Sequence, residues 1–341
     1  MYRYIGNKTI VLDRLMPILL QDTVRGSVVA DLMCGTASVS NALKLAGMRV
    51  VAGDLMTFAV NHAKSRLLLS EQPDFSSLSF SYSQLIDHLN NLQPRDGYFW
   101  REFSDGGSPS NGSPPRNYLT SDNARHLDAI SAQLAEWHID GEINDIECAI
   151  LRNDLVLAVN RVANIAGTYG HFCAQFSRSS LNPLKLSEFT FDSNARIDHE
   201  IVQGRAEETI KRVRVDSVYL DPPYMKRQYG ANYHLLETIA VGDEPIPRGR
   251  SGLRDWWPQY SDFCSKKKMP GALESIIGSG SARRYFVSYS EDGLLEVDVV
   301  CDILRKFGPI TKHSFEHARF KSNRSSLPRA LVEYVLEVRT E

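Results

Sequence analysis

The sequence is short of net charge, of cysteine and of long apolar runs. Its formal net charge is −2 over 341 residues. No overall basicity therefore marks a polyanionic partner. Five cysteines, at positions 34, 148, 173, 264 and 301, are scattered and odd in number, and no Cys-x-x-Cys pair occurs. Neither a zinc site nor a disulfide framework is suggested, and no metal is expected. No apolar run approaches the roughly 20 residues that a membrane span needs. The opening "MYRYIGNKTI" has no apolar signal core. The expectation is a cytoplasmic chain in a reducing compartment, without membrane attachment.

What is present is ordinary in amount and uneven in placement. Apolar residues make up 43% and charged residues 23%, as in a soluble globular protein. The length allows one large domain or two. Residues 244–329 hold 15 basic and 10 acidic side chains, a local excess of +5 that leaves −7 for the rest. This is compatible with a phosphate-binding surface and equally with a solvated mixed-charge face.

Local patterning alternates at both ends of the chain. "VVADLM" (28–33) reads as a buried strand, "CGTASVS" as a turn, and "VSNALKLAG" as a helix ending at Gly47. "RVVAGD" is a second strand ending at Asp54, and "MTFAVNHAKSRLLL" a second helix. This opens a doubly wound α/β sheet. The rhythm stops near residue 76. The segment "SDGGSPSNGSPPRN" (104–117) reads as a mobile loop. Two helical patterns follow, one capped by Ser121 or Asp122 and one closing at Gly167. Strands return before Asp221, at 284–290 and at 329–338. The expected architecture is an α/β core over 1–75 and 196–341, interrupted by a largely helical insertion over 76–195.

The stretch "DSVYLDPPYMKRQYG" (216–230) concentrates the chemistry. Val218, Tyr219 and Leu220 are β-prone, and Pro222 and Pro223 have no N–H with which to continue a ladder. The strand must stop at Asp221, leaving a carboxylate, free carbonyls and the Tyr224 ring at its C-terminal edge. Ligands bind at that edge in open α/β sheets. The small-residue turn after Asp31, and Asp54 at the end of the next strand, belong to the same edge. Asp54 is placed to accept the hydroxyls of a ribose.

With these motifs in order, the chain resembles S-adenosylmethionine-dependent N6-adenine DNA methyltransferases, in the group that opens with a cofactor-contacting motif. "RYIGNK" (3–8) matches that opening motif. "DLMCGTASVS" matches the cofactor turn, with Met33 where the family has phenylalanine and Ala37 where it has a second glycine. "DPPY" (221–224) matches the catalytic motif without change. "NIAGTYG" (164–170) and "RQYGANYHLLETIA" (227–240) are similar to segments of restriction-associated members.

The resemblance implies a Rossmann-like methyltransferase sheet, double-stranded DNA as partner and a possible cognate restriction endonuclease. It implies cofactor contacts at Tyr4, Gly6, Lys8, Asp31, Met33, Gly35, Asp54 and Asp221. It implies catalysis by Asp221, Pro222, Pro223 and Tyr224, with target recognition in the insertion. DNA-side candidates are Tyr169, Arg227, Tyr229, Arg319 and Lys321. Two further departures are Arg205, where an acid that contacts the cofactor's adenine is usual, and Met225, where asparagine commonly follows the tyrosine. Glu207 is the nearest substitute acid.

The residue types suit that reaction. Adenine's exocyclic amine has its lone pair delocalised into the ring. Two acceptors on its N–H groups, the Asp221 carboxylate and the Pro222 carbonyl, favour a pyramidal, nucleophilic nitrogen. Tyr224 can stack on a base that has left the duplex. Two alternatives stand at this stage. One is methylation of cytosine N4, against which Asp rather than Ser at 221 argues. The other is a degenerate module that binds cofactor or DNA without turnover.

Overall fold

The computed structural model describes residues 4–192, 198–318 and 330–340. Two compact units divide the chain. One comprises residues 6–70, 194–229 and 259–341, the other 1–5, 71–193 and 230–258.

The first unit is built on a seven-stranded sheet. Its strands are β1 (Val28–Asp31), β2 (Arg49–Asp54), β3 (Glu200–Gln203), β4 (Ser217–Leu220), β5 (Arg284–Ser290), β6 (Ile310–Ala318) and β7 (Ala330–Arg339). The spatial order is β3-β2-β1-β4-β5-β7-β6. The first five strands run parallel, and β7 runs antiparallel between β5 and β6. The left half follows the Rossmann order, and the reversed strand near the far edge sets this sheet apart from the all-parallel dinucleotide fold. The fold is Rossmann-like, of the methyltransferase kind. Strands β3 and β6 were not foreseen.

Both faces of the sheet are covered, and the pleat divides the side chains between two cores. Val51, Val218, Leu220, Tyr285, Val287, Leu336 and Val338 enter one core. Their neighbours Val50, Ala52, Tyr219, Phe286 and Val335 enter the other. Helices Met269–Ser279 and Val297–Leu304 supply Leu273, Ile276, Val300 and Leu304 to the first core. Helices Leu12–Leu20 and Ser38–Leu45 supply Leu15, Leu19 and Leu43 to the second. Strand order reverses between β1 and β4, which places a crevice outside their C-terminal ends.

The second unit is mainly helical. Its helices are Tyr82–Asn90, Tyr98–Phe103, Ser121–Ile139, Asp145–Val162 and His234–Val241. Thr120, not Ser121 or Asp122, caps the third of these by accepting from the Asn123 N–H. Asn144 and Glu147 form a reciprocal capping box at the start of the fourth, which ends at Val162 rather than Gly167. The loop over 104–117 is anchored rather than loose. Arg116 is fully buried. Its guanidinium donates to the Glu102 carboxylate and carbonyl, to Asn111 Oδ1 and to the carbonyls of Gly249 and Arg250. Among the described residues no helix is long and apolar enough to cross a membrane.

The turn after β1 carries a backbone oddity. Gly35 has φ +51° and Ala37 also has φ +51°. Only glycine adopts this left-handed region without steric cost, which for other residues is about 1–2 kcal/mol. Ala37 is fully buried, like Ala30 within β1. Ala30→Gly is expected to lose about 1.5–2 kcal/mol, from a buried methyl and a freer strand backbone. In Ala37→Gly the relief of strain offsets the same losses, leaving stability within about 1 kcal/mol of the parent. Equilibrium urea unfolding compares the two. Equal losses would mean that the turn holds no strain.

Candidate active site

Three carboxylates converge on the C-terminal edge of the sheet. Asp31 ends β1, Asp54 ends β2 and Asp221 follows β4. Asp31 is register partner to Ala52 and Tyr219. The three acids therefore sit on neighbouring strands on either side of the switch point.

Asp221 is held by a lysine from the start of the chain. Lys8 opens a short 3-10 turn, Lys8–Val11, capped by Asn7. Lys8 Nζ lies 2.7 Å from Asp221 Oδ1 and 3.2 Å from Glu333 Oε1. The Lys8 and Glu333 side chains are only 7% and 3% exposed, and Asp221 is 14% exposed. Burial alone would strip the lysine of its proton, but Asp221 and Glu333 outweigh it and hold the Lys8 pKa well above its usual value. Burial pushes the Asp221 pKa up to about 6 against the opposing pull of Lys8, with Glu333 adding repulsion. Gly6, at φ +81°, passes close by. A Cβ there would stand 3.8 Å from Asp221 Oδ2 and 3.6 Å from the Tyr229 hydroxyl.

Beyond Asp221 the chain runs through Pro222 and Pro223 to Tyr224 without regular structure. The Tyr224 carbonyl accepts from the Leu294 N–H at 3.0 Å. Its half-buried ring meets Tyr289 edge-on, with centroids 6.0 Å apart, and Lys8 Nζ stands 5.9 Å from its centroid. The ring is thus set from the backbone and from one edge.

The two other acids differ in how far they are satisfied. Asp54 accepts from the Gly35 N–H through Oδ2 and from the Met56 N–H through Oδ1, each at 2.9 Å. It ties the turn after β1 to the end of β2. Asp31 accepts from Ser40 Oγ at 2.6 Å through Oδ2, while its buried Oδ1 has no hydrogen-bond partner among the described residues. Burial, then repulsion from Asp221 and Asp54, pushes the Asp31 pKa up to about 7. Cys34 is buried beside these acids, and its thiol pKa is raised well above normal. A thiolate there is disfavoured.

The structure brings Gly6, Lys8, Asp31, Gly35, Asp54, Asp221 and Tyr224 into one unit. Met33 is half-buried and packs on the apolar core beneath them. Tyr4 lies in the helical unit, its ring stacked 5.0 Å from that of Tyr233. Arg227 is exposed on the loop that leaves Tyr224, and the half-buried Tyr229 opens the short helix Tyr229–Asn232. Arg319 and Lys321 lie outside the described residues. Glu207 is half-buried, with its pKa raised by burial.

Tyr169 departs from expectation. Its side chain has no exposed surface. Its hydroxyl accepts from Asn160 at 3.2 Å, and its carbonyl accepts from the Tyr118 hydroxyl at 2.6 Å. As folded it offers no face to DNA. Sequence reasoning missed Glu333, the second acid on Lys8. The available signal was a glutamate within "ALVEYVLEV", where the alternation buries one face of a strand.

Comparison with known proteins agrees with this geometry. The family model described as D12 class N6 adenine-specific DNA methyltransferase matches residues 4–300. The type II methyltransferase M.NlaIII of Neisseria lactamica is 31% identical over 312 residues, covering 90% of this chain and 89% of that protein. The type II methyltransferase M.FokI of Planomicrobium okeanokoites is 31% identical over 345 residues, covering 99% of this chain and 53% of that protein. The modification methylase StsI of Streptococcus sanguinis is 29% identical over 344 residues, covering 98% of this chain and 51% of that protein. The chain spans about half the length of these last two. With the family match covering most of the sequence and the NlaIII similarity running through nearly the whole of both proteins, the chain belongs to the D12 class N6 adenine-specific DNA methyltransferases.

Proposed function

We propose that the chain transfers a methyl group from S-adenosylmethionine to the N6 amine of an adenine turned out of double-stranded DNA, as the modification partner of a restriction endonuclease. The observation that carries this reading is the Asp221 carboxylate, held by Lys8 at the switch-point crevice and followed directly by Pro222. The modification-methylase names of relatives support the endonuclease partner.

The residues of the crevice fit the cofactor. Asp31, Asp54 and Asp221 line the crevice, so the site favours a cationic ligand. The buried, unpartnered Asp31 Oδ1 awaits a donor. Lys8, Asp31, Met33, Gly35 and Asp54 would hold the group. The cofactor supplies an electrophilic methyl group on its sulfonium.

The chain's own residues prepare the amine. Asp221 Oδ1 is committed to Lys8, which leaves Oδ2 beside Gly6 to accept one amine N–H. The Pro222 carbonyl accepts the other, fixed in direction by the proline ring. Together they draw the nitrogen lone pair out of the adenine ring, and the carboxylate stabilises the positive charge that grows on nitrogen. Asp221 then takes the proton that the methylated amine releases. Lys8 keeps Asp221 ionised near neutral pH despite burial. Tyr224 stacks on the adenine, which cannot be reached in line within its base pair. Arg227 and Tyr229 would meet DNA next to it. The region over 76–195 contributes target recognition.

Asp221→Ala is expected to lower methylation by at least ~10²–10³-fold, the usual loss of one preorganised electrostatic partner. Calorimetry should still detect S-adenosylmethionine binding, because Lys8 keeps Glu333 as its counter-ion. Near-normal turnover would remove the mechanism.

The pH dependence has a definite sign. Asp221 must be ionised to accept the amine, so the single-turnover rate falls as pH drops through about 6. The lysine pulls that pKa down, so Lys8→Met should move the acidic limb to higher pH. A limb left in place by Lys8→Met would mean that another group controls it.

For Tyr224, a stacking role predicts that Tyr224→Phe keeps most activity. Tyr224→Ala should lose roughly 1–3 kcal/mol, the range of base–aromatic stacking. Equal damage from both, in folded and cofactor-bound protein, would move the hydroxyl into the chemical step.

A further inference from the structure

The loop that leaves the Asp-Pro-Pro-Tyr turn is tied to a second segment, and both carry unpaired cations. Gln228 Nε2 donates to the Ser261 carbonyl at 3.0 Å, and the Ser261 N–H donates to Gln228 Oε1 at 2.8 Å. The buried Cys264 thiol donates to the Arg227 carbonyl at 3.5 Å. These contacts hold Lys226 and Arg227 against the chain that continues into Lys266, Lys267 and Lys268, ahead of helix Met269–Ser279.

The cations of this surface differ in how they are satisfied. Lys268 Nζ lies 3.1 Å from Asp262 Oδ1 and 4.8 Å from the centre of the Tyr260 ring. Lys226, Arg227, Lys266 and Lys267 are exposed, and among the described residues none has an acid at ion-pair distance. Arg14, Arg25 and Arg214 of the same unit are also exposed, but other surface cations there are neutralised locally. Lys211 sits on Glu208, Arg305 on Asp302, Lys306 on Glu274 and Lys312 on Asp298. A merely solvated face would not need two segments locked together by three contacts to present four uncompensated charges.

We infer that Lys226, Arg227, Lys266 and Lys267 form a preset platform for the DNA phosphates flanking the target adenine, with Gln228 as its positioning residue. The inference rests on the DNA-methylation reading above. At ~3.6 Å of chain per residue, Arg227 stands no more than about 22 Å from Asp221. At 3.4 Å of rise per nucleotide, that reach spans at most about six nucleotides of one strand. The platform therefore serves the strand beside the reacting base. Phosphates fix register and carry no sequence information, so its effect is on every DNA alike.

The test is the salt dependence of binding to a non-cognate duplex, with no methyl transfer involved. Each phosphate contact contributes about 0.9 to the slope of log K against log salt. Lys266→Gln/Lys267→Gln should reduce the slope by about 1.8. Its affinity loss between 50 and 200 mM salt is then about 12-fold smaller than the parent's. Lys211→Gln, at a paired cation, should leave the slope unchanged. Gln228→Ala keeps every charge, so it should weaken binding without changing the slope. S-adenosylmethionine affinity, measured alongside, reports that each variant is folded. An unchanged slope in the double variant overturns the platform, and a silent Gln228→Ala overturns the positioning role. Failure of the methylation reading would appear separately, as no methyl transfer by the parent protein to any duplex.

Discussion

A buried ammonium between two buried carboxylates is the constraint on which the active edge depends. Lys8, Asp221 and Glu333 come from the first turn of the sheet unit, the end of β4 and the antiparallel strand β7. Taking such charges out of water costs several kcal/mol per ion, and their attraction repays this only while every partner is present. Three segments more than 100 residues apart are thereby pinned to one point. The antiparallel insertion of β7 gains a chemical meaning from this. It pairs Glu333 with Ser290 at the end of β5 and so delivers an acid to the crevice. An all-parallel edge would leave the lysine with one counter-ion. Asp221, then called on both to hold the lysine and to meet a ligand, would have no relief from either task.

The rest of the crevice is anionic, and this bears on what it can bind. Burial first, then repulsion from Asp221 and Asp54, keeps the proton on Asp31 up to a pH of about 7. Because its folded pKa lies above its unfolded value, the Asp31 contribution to stability is complete below about 4 and is lost as pH rises through 7. Above that pH the unliganded crevice is strained by its own charge. A cation entering it relieves the repulsion, so binding and stability are linked through the same carboxylates. The left-handed Ala37 adds local strain to the same turn, where Asp54 grips the Gly35 and Met56 amides.

What was legible in the sequence was whatever the chain encodes over short distances. Proline after Asp221 stops a strand, and the β2 pattern ends at Asp54, where the structure ends it. The 284–290 run is a strand of the same bounds. These follow from periodicity and from missing N–H donors, which need no tertiary context. Strand β3 has four residues and only partial burial, so it carries almost no periodic signal. Strand β6, "ITKHSFEHA", is mostly polar, lies at a sheet edge and reads as surface. Glu333 could be recognised as buried, but its partner lies more than 300 residues away, and no local pattern names it. The loop over 104–117 has a mobile composition. It is anchored because one arginine, at its end, finds carbonyls from residues 249 and 250.

The misplacement of Tyr169 has the same physical root and shows what the helical unit is made of. In its segment, "NIAGTYG", Asn164 and Tyr169 both face inward. Asn164 donates to the Asn117 and Cys173 carbonyls and accepts from the Ser177 N–H, knitting three stretches of chain together. Tyr169 uses its hydroxyl on Asn160 and its backbone on Tyr118, Asn232 and His234. His234 is kept neutral by burial, its pKa pushed down to about 4. Elsewhere in the unit, Tyr82 donates to Asp154 and Arg116 meets Glu102, each within the interior. Interior networks of this kind gain little net stability over apolar packing, but they tolerate few alternative arrangements, since an unpaired member is costly. A unit proposed to select one DNA sequence needs fixed positions more than it needs surplus stability. Its family-like motif is therefore better understood as the frame behind a reading surface than as the surface itself.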